Sequence, residues 1–482
     1  MITTEFKDLF IGGGWREPVS SGRITVISPN TEEVIGSTPE GAEADIDAAV
    51  AAASAAFRDP KGWAHWSGTE RGAALERLAD ELDKRAPQIV EAVSSQNGMP
   101  VAVGEKLEAV FPQLLLRYYA GLVREHSFAE TRPGLLGGST LVTTKPVGVV
   151  AAIVPWNFPQ ALAAFKYAPG LAAGCTFVIK PSPETVLDSY LLADAVMAAG
   201  IPDGVVNIVP GGRGTGAYLV SHPGIDKVAF TGSSAAGRSI AEACGRLLRP
   251  VTLELGGKSA AIILDDADLD LATIGEQLFA ATLLNSGQAC YLGTRVLAPR
   301  SRYQEVVDMF TALAGSLTVG NALDPSTQIG PMASARQRDR VESYIAKGKG
   351  EGARITTGGG RPAGLDAGWF VEPTIFADVD NNYVIAQEEI FGPVLSLIPY
   401  DGDDQAIEIA NDSDFGLGGS VWTTDHDRGV DVAMRVATGT VGINGYLPDP
   451  TAPFGGIKAS GLGRELGPEA LSAYLTQKSI YL

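Results

Sequence analysis

Two alanine-rich stretches near the start of the chain space their apolar residues for helices. One runs from Glu43 to Phe57. The other runs from Thr69 to Val93, where Leu75, Leu78 and Leu82 fall on one face and Thr69 stands where a cap is expected. From Val147 the pattern changes to short β-branched runs: VGVVAAIV at 147–154, CTFVIK at 175–180, VVNIV at 205–209, DKVAF at 226–230 and VTLEL at 251–255. Helical stretches separate them, such as Ser189 to Ala199, closed by Gly200 and Pro202. Strands apolar on both faces and separated by helices predict a doubly wound α/β lobe with a parallel sheet. A second alternation, from Ser259 to about residue 450, predicts a second α/β lobe. Residues 128–145 and the closing AYLTQKSIYL predict strands, and the last of these needs an edge that a neighbouring subunit is expected to offer.

Composition narrows the possible functions. A chain of 482 residues exceeds one ordinary domain, and it shows no repeat or low-complexity tract. Against 37 Lys and Arg stand 56 Asp and Glu, a net charge of −19, which disfavours a nucleic-acid partner. Met1 to Phe10 lacks the charged and apolar regions of a signal peptide. The most apolar stretch, Val147 to Phe165, is broken by Pro155, Asn157, Pro159 and Gln160, so no membrane helix is expected. Cys175, Cys244 and Cys290 form no CxxC pair, which fits a reducing, cytoplasmic setting. None of the four histidines stands at metal-ligand spacing from a cysteine, and no metal site is expected.

Four segments could carry chemistry. FTGSSAAG, Phe230 to Gly237, reads as strand, glycine turn and helix, where Gly232 allows close approach and Ser233 with the helix start could meet a phosphate. It lacks GxGxxG spacing, so alone it reads equally well as a structural turn, and the denser GGRGTG at 211–216 is a decoy. NSGQAC ends on Cys290, a strong nucleophile only as thiolate, and at a pKa of about 8.5 it needs activation. No histidine lies in the glycine-rich motifs. Glu254 in LELGGKS, at the end of an apolar strand, is the alternative base, its pKa raised by burial. Taken singly, an inert thiol and a strand-end ion pair are the simpler readings. In PWNFP, two prolines fix the backbone around Asn157, whose amide could then serve an oxyanion; the simpler reading is an apolar turn.

Together these pieces resemble the aldehyde dehydrogenase family over nearly the whole chain. IGGGW at 11–15, PWNFP, KPSPET at 180–185, FTGSSAAG, LELGGKS, GQAC, EEIFGP at 388–393 and PFGGIKASGLGRELG at 453–467 occur in the family's order. The resemblance implies Cys290 as nucleophile, Glu254 as base for thioester hydrolysis, Asn157 with the Cys290 backbone N–H as oxyanion hole, and Lys166 as a lysine near the active site. It implies a coenzyme site of Lys180 and Ser182 at the adenosine ribose, Trp156 and Ser233 at the pyrophosphate, and Glu389 and Phe391 at the nicotinamide end. Ile153, Pro155, Gly216, Phe230, Gly232 and Leu255 complete that set.

The resemblance further implies a cofactor-binding domain of residues 1–127 and 147–258, a catalytic domain of 259–459, and an oligomerisation element of 128–146 with 473–482. Its architecture is two doubly wound parallel-sheet lobes plus a small β element, in a homo-oligomer of dimer or tetramer form. By motif position Phe158, Ala161, Leu162, Phe165, Tyr291 and Phe454 would line the substrate pocket, an uncharged set that favours a small hydrophobic aldehyde. Relatives that pass the acyl group to coenzyme A lack a glutamate at the Glu254 position, so hydrolysis is expected. Two departures stand out. Leu292 replaces a usual alanine, and Pro183 replaces a glutamate that excludes NADP, with Glu184 expected to point elsewhere. NAD is the expected coenzyme, with NADP accepted less well. Other classes fit the same residues less well: a catalytically idle relative, against which Cys290, Glu254 and Asn157 argue, and a coenzyme-free cysteine hydrolase.

Overall fold

The computed structural model describes residues 4–482. Residues 1–3, the start of the segment read above as free of a signal peptide and as part of the cofactor-binding domain, lie outside the described residues. The first large sheet runs in the order Gly461–Leu462, Val251–Glu254, Lys227–Thr231, Val149–Ile153, Thr176–Lys180, Val206–Ile208, Leu9–Ile11 and Gly14–Arg16. Its five central strands are parallel, and the apolar runs read from the sequence supply all five. Strand order reverses at Val149–Ile153, whose neighbours are the next strand in sequence, Thr176–Lys180, and the much later Lys227–Thr231. A crevice opens beyond the carboxyl ends at such a reversal. Pro155 to Asn157 follow one of the two strands that flank it, and Gly232 and Ser233 follow the other.

The second sheet runs Arg354–Thr357, Thr374–Ala377, Val394–Tyr400, Arg295–Pro299, Ala260–Ile263, Gly419–Trp422 and Gly442–Ile443, parallel except at Arg354–Thr357. The chain then returns to the first sheet, where Gly461 and Leu462 pair antiparallel with Glu254 and Leu253. The helix Pro159–Ala173 is buried along its whole length, as its nearly all-apolar surface requires. No helix among the described residues is long and apolar enough to cross a membrane.

Two expectations need correction. The helix read from Thr69 spans Gly68–Asn97, and its cap is Ser67: the Ser67 hydroxyl accepts from Glu70 N at 3.2 Å while the Glu70 carboxylate accepts from Ser67 N at 2.7 Å. That reciprocal pair satisfies two free N–H groups, more than Thr69 could do from inside the first turn. The C-terminal strand, Leu475–Tyr481, takes its edge from its own chain. It pairs antiparallel with Ser139–Pro146, from Leu475 opposite Pro146 to Tyr481 opposite Thr140, because Ala129–Pro133 covers only the other side of that strand.

Candidate active site

Cys290 follows a loop that is left-handed over three residues. After the helix Leu271–Thr282, Asn285 (φ 50°), Ser286 (φ 57°) and Gly287 (φ 74°) turn the chain back. The conformation costs a non-glycine residue about 1–2 kcal/mol, and hydrogen bonds offset it. Ser286 Oγ donates to Gly330 O at 3.1 Å, and Gln288 Oε1 accepts from Ala333 N at 3.0 Å. At Gly287 any Cβ would lie 2.1 Å from Gly392 O, so glycine is required. The loop delivers Cys290 to the junction of two cavities, and Asn157 lines both of them as well.

Glu254 ends its strand beside Cys290 in the larger cavity, 1% exposed, with no hydrogen-bond partner for its carboxylate other than the neighbouring Cys290 thiol. Burial pushes its pKa up to about 8, and the nearby Glu465 adds to the rise; the Cys290 thiol and Lys166 pull the other way. Burial, followed by the Glu254 charge, holds the Cys290 thiol well above its ordinary value. Lys166 lines neither cavity. Its amine sits in a fully buried pair with Glu465, 2.8 Å from Oε1, and donates to Thr231 Oγ1 at 2.6 Å. Glu465 was not singled out from the sequence. It lies in the PFGGIKASGLGRELG run, but nothing local to it signals a buried partner 299 residues away.

The larger cavity, about 400 Å³, lies at the strand-order reversal. Of the residues expected at the coenzyme, Pro155, Trp156, Gly232, Ser233, Leu255, Glu389 and Phe391 line it. Trp156 and Phe391 meet edge to face at 5.3 Å. Ser233 caps the helix Ser234–Arg246, accepting from Ala236 N at 3.3 Å, so a helix N-terminus opens on the cleft. Glu389 Oε1 accepts from Gly257 N at 2.9 Å, and burial raises its pKa against the pull of that bond, Arg340 and Lys258.

Ile153, Lys180, Ser182, Gly216 and Phe230 do not line the cavity. Ile153, Lys180 and Phe230 are buried in their strands. A Cβ on Gly232 would come within 2.5 Å of the Phe230 ring, and one on Gly216 within 3.3 Å of Lys180 Cε, so both glycines serve close packing. Lys180 Nζ donates to Pro181 O (2.9 Å) and Gly211 O (2.7 Å), and burial lowers its pKa to about 8 against the charges of Glu184 and Glu40.

Glu184 does not point elsewhere: it lines the cleft, with Ser182 Oγ donating to its carboxylate at 2.5 Å. Proline fixes only its own φ, and the turn closed by Thr185 N and Ser182 O at 3.1 Å swings Glu184 back toward the cleft. The opposite wall, Ser334, Arg336, Gln337 and Arg340, was also missed, because a polar helix start reads from sequence as a solvated face. There Gln337 Nε2 donates to Phe391 O at 2.7 Å and Arg340 to Glu389 O at 2.5 Å.

The smaller cavity, about 50 Å³, opens on the other side of Cys290. Phe158, Ala161, Leu162, Phe165, Tyr291 and Phe454 line it together with Leu107, Phe111, Ala289, Leu447 and Pro448, and no charged side chain does. Its aromatic rings brace one another: Phe165 lies 5.6 Å from Phe111 and 6.1 Å from Phe454, and Tyr291 lies 5.0 Å from Tyr446. Leu292, the departure noted beside the nucleophile, is buried in the core and does not reach this cavity.

Residues 15–480 match the model of the aldehyde dehydrogenase family. The chain is 57% identical over 481 residues to the geranial dehydrogenase of Castellaniella defragrans, covering 100% of both. Its structure is similar to that of a Mycobacterium tuberculosis aldehyde dehydrogenase complexed with NAD+, with a TM-score of 0.97, 49% identity and coverage of 100% and 99% of the two chains. It is also similar to a cysteine-to-alanine mutant of aldehyde dehydrogenase C from Pseudomonas syringae, complexed with NAD+ and octanal, with a TM-score of 0.94, 38% identity and coverage of 98% and 96%.

Proposed function

We propose, from the premise that the chain belongs to the aldehyde dehydrogenase family, that its two cavities hold the coenzyme and the aldehyde on opposite sides of Cys290. The enzyme oxidises an aldehyde to a carboxylic acid with NAD. The observation that carries the site assignment is the position of Cys290 and Asn157 in both cavities.

The buried Cys290 thiol first loses its proton to solvent; the thiolate then adds to the aldehyde carbon, and the C=O pair moves onto oxygen, where Asn157 Nδ2 and the Cys290 N–H would hold it. Bound NAD+ supplies the acceptor for the hydride that leaves this carbon, turning the adduct into a thioester. Glu254 then takes a proton from water as the water oxygen bonds to the acyl carbon. The C–S bond breaks, the acid departs, and the sulfur is again a thiolate. Replacing Cys290 with Ser tests the assignment: oxidation should fall below a few per cent while NAD affinity stays nearly unchanged.

The substrate is a hydrophobic, uncharged aldehyde. The apolar lining of the smaller cavity supports this, as do the relative named geranial dehydrogenase and the octanal bound in a similar structure. The coenzyme is NAD, with NADP used less well, because Glu184 in the cleft would repel a 2′-phosphate and Lys180 is turned to backbone carbonyls. Residues 4–127 with 147–258 form the cofactor-binding domain, 259–459 the catalytic domain, and 128–146 with 473–482 the oligomerisation element of a homo-oligomer. The exposed Leu135 and Leu136 at the hairpin tip, and the open edges of the three-stranded sheet, support that role. Three free cysteines support a reducing, cytoplasmic location.

A further inference from the structure

Asn157 and the nucleophile loop hold each other by hydrogen bonds running in both directions. Asn157 Nδ2 donates to Gln288 O at 3.0 Å, two residues before Cys290. In return, Asn285 Nδ2 donates to the Asn157 carbonyl oxygen at 3.1 Å. Asn97 adds a weaker tie from the helix Gly68–Asn97, at 3.4 Å to the same oxygen and 3.1 Å to Trp156 O. All four residues of this clasp are buried.

The geometry has a directional consequence. A carboxamide nitrogen is planar, so once one N–H is committed to Gln288 O, the direction of the other is set. The Gln288 carbonyl therefore fixes the rotation of the Asn157 side chain, while the Asn285 amide fixes the backbone from which that side chain springs. Because Gln288 and Asn285 belong to the loop that carries Cys290, amide and sulfur are located by the same few atoms. Asparagine suits position 285 on two counts: it tolerates the left-handed φ of 50° and it offers the donor.

We propose that Asn285 is a positioning residue that aims the free N–H of Asn157 at the oxygen of the Cys290 adduct; this rests on Asn157 being the oxyanion donor. The test uses the full-length enzyme and the pre-steady-state burst of NADH. Asn285→Gly keeps access to the left-handed conformation and removes only the side chain. It should slow the burst tenfold or more while the Kd for NAD stays within twofold. Asn285→Asp keeps size and left-handed tolerance but loses the donor, and it should show a loss at least as large; a wild-type burst in this variant would overturn the proposal, and it carries the test if the glycine variant is poorly folded.

The deciding comparison is the double-mutant cycle with Asn157→Ala. In that background either Asn285 variant should change the burst less than twofold, because the group it aims is gone. The same loss in both backgrounds would overturn the proposal and leave the oxyanion assignment standing. A normal burst in Asn157→Ala alone would overturn the oxyanion assignment itself, and the proposal with it.

Discussion

The Cys290 thiol and the Glu254 carboxylate act on each other in opposite senses: the carboxylate holds the thiol's proton on, and the thiol lowers the carboxylate's hold on one of its own. Burial overrides the second effect and leaves Glu254 titrating near 8. Below that pH the carboxyl is protonated and cannot accept a proton from water. Steady-state turnover limited by deacylation should therefore rise with pH through about 8, and Glu254→Gln should remove that limb. A flat profile from pH 6.5 to 9 in the wild type would contradict the assigned base.

The same shift affects stability. The folded protein binds the Glu254 proton more tightly than the unfolded chain, whose carboxyl titrates near 4.5, so this contribution is full below 4.5 and is lost as pH rises through about 8. Glu254→Gln removes the dependence. Its melting temperature relative to wild type should increase from pH 5 to pH 9, as read by calorimetry, while activity falls.

Lys166 and Glu465 are a buried pair whose separation would leave a charge without compensation. Lys166→Met should cost about 3–5 kcal/mol, and adding Glu465→Gln should restore part of it. Because Lys166 also draws the Glu254 pKa down, the single variant should shift the activity limb to higher pH. Denaturant titration gives the first quantity and a pH–rate profile the second.

Coenzyme choice should depend on Glu184. Wild-type enzyme should prefer NAD over NADP, and Glu184→Gln should narrow the preference through better use of NADP. A wild-type preference for NADP above tenfold, about 1.4 kcal/mol, would contradict the coenzyme site described above.

In the smaller cavity each buried CH₂ gains about 0.8 kcal/mol, so kcat/KM should rise along a series of linear aldehydes from propanal to hexanal. A strong preference for betaine aldehyde or succinic semialdehyde over hexanal would show that a charged group reaches the cavity.

Features written in local pattern could be read from the sequence. The five parallel strands showed as β-branched runs, and Cys290, Glu254 and Asn157 sat in motifs whose order made them a set. What escaped depends on contacts distant in sequence or on a turn. Glu465 acts through Lys166, Arg336 and Gln337 come to the cleft from the other lobe, and Leu107 and Phe111 reach the smaller cavity from helices far earlier in the chain. The direction of Glu184 is not legible from Pro183, because a proline limits one torsion while the turn closing at Thr185 decides where the next side chain goes.

The most direct test is to trap the acyl-enzyme. Glu254→Gln enzyme mixed with NAD and hexanal should release about one NADH per active site and then stall, because acylation needs Cys290 but hydrolysis needs the base. Mass spectrometry of the digested protein should find the acyl group on the peptide containing Cys290. Continuous NADH production with no adduct, or an adduct on Cys175 or Cys244, would contradict the account.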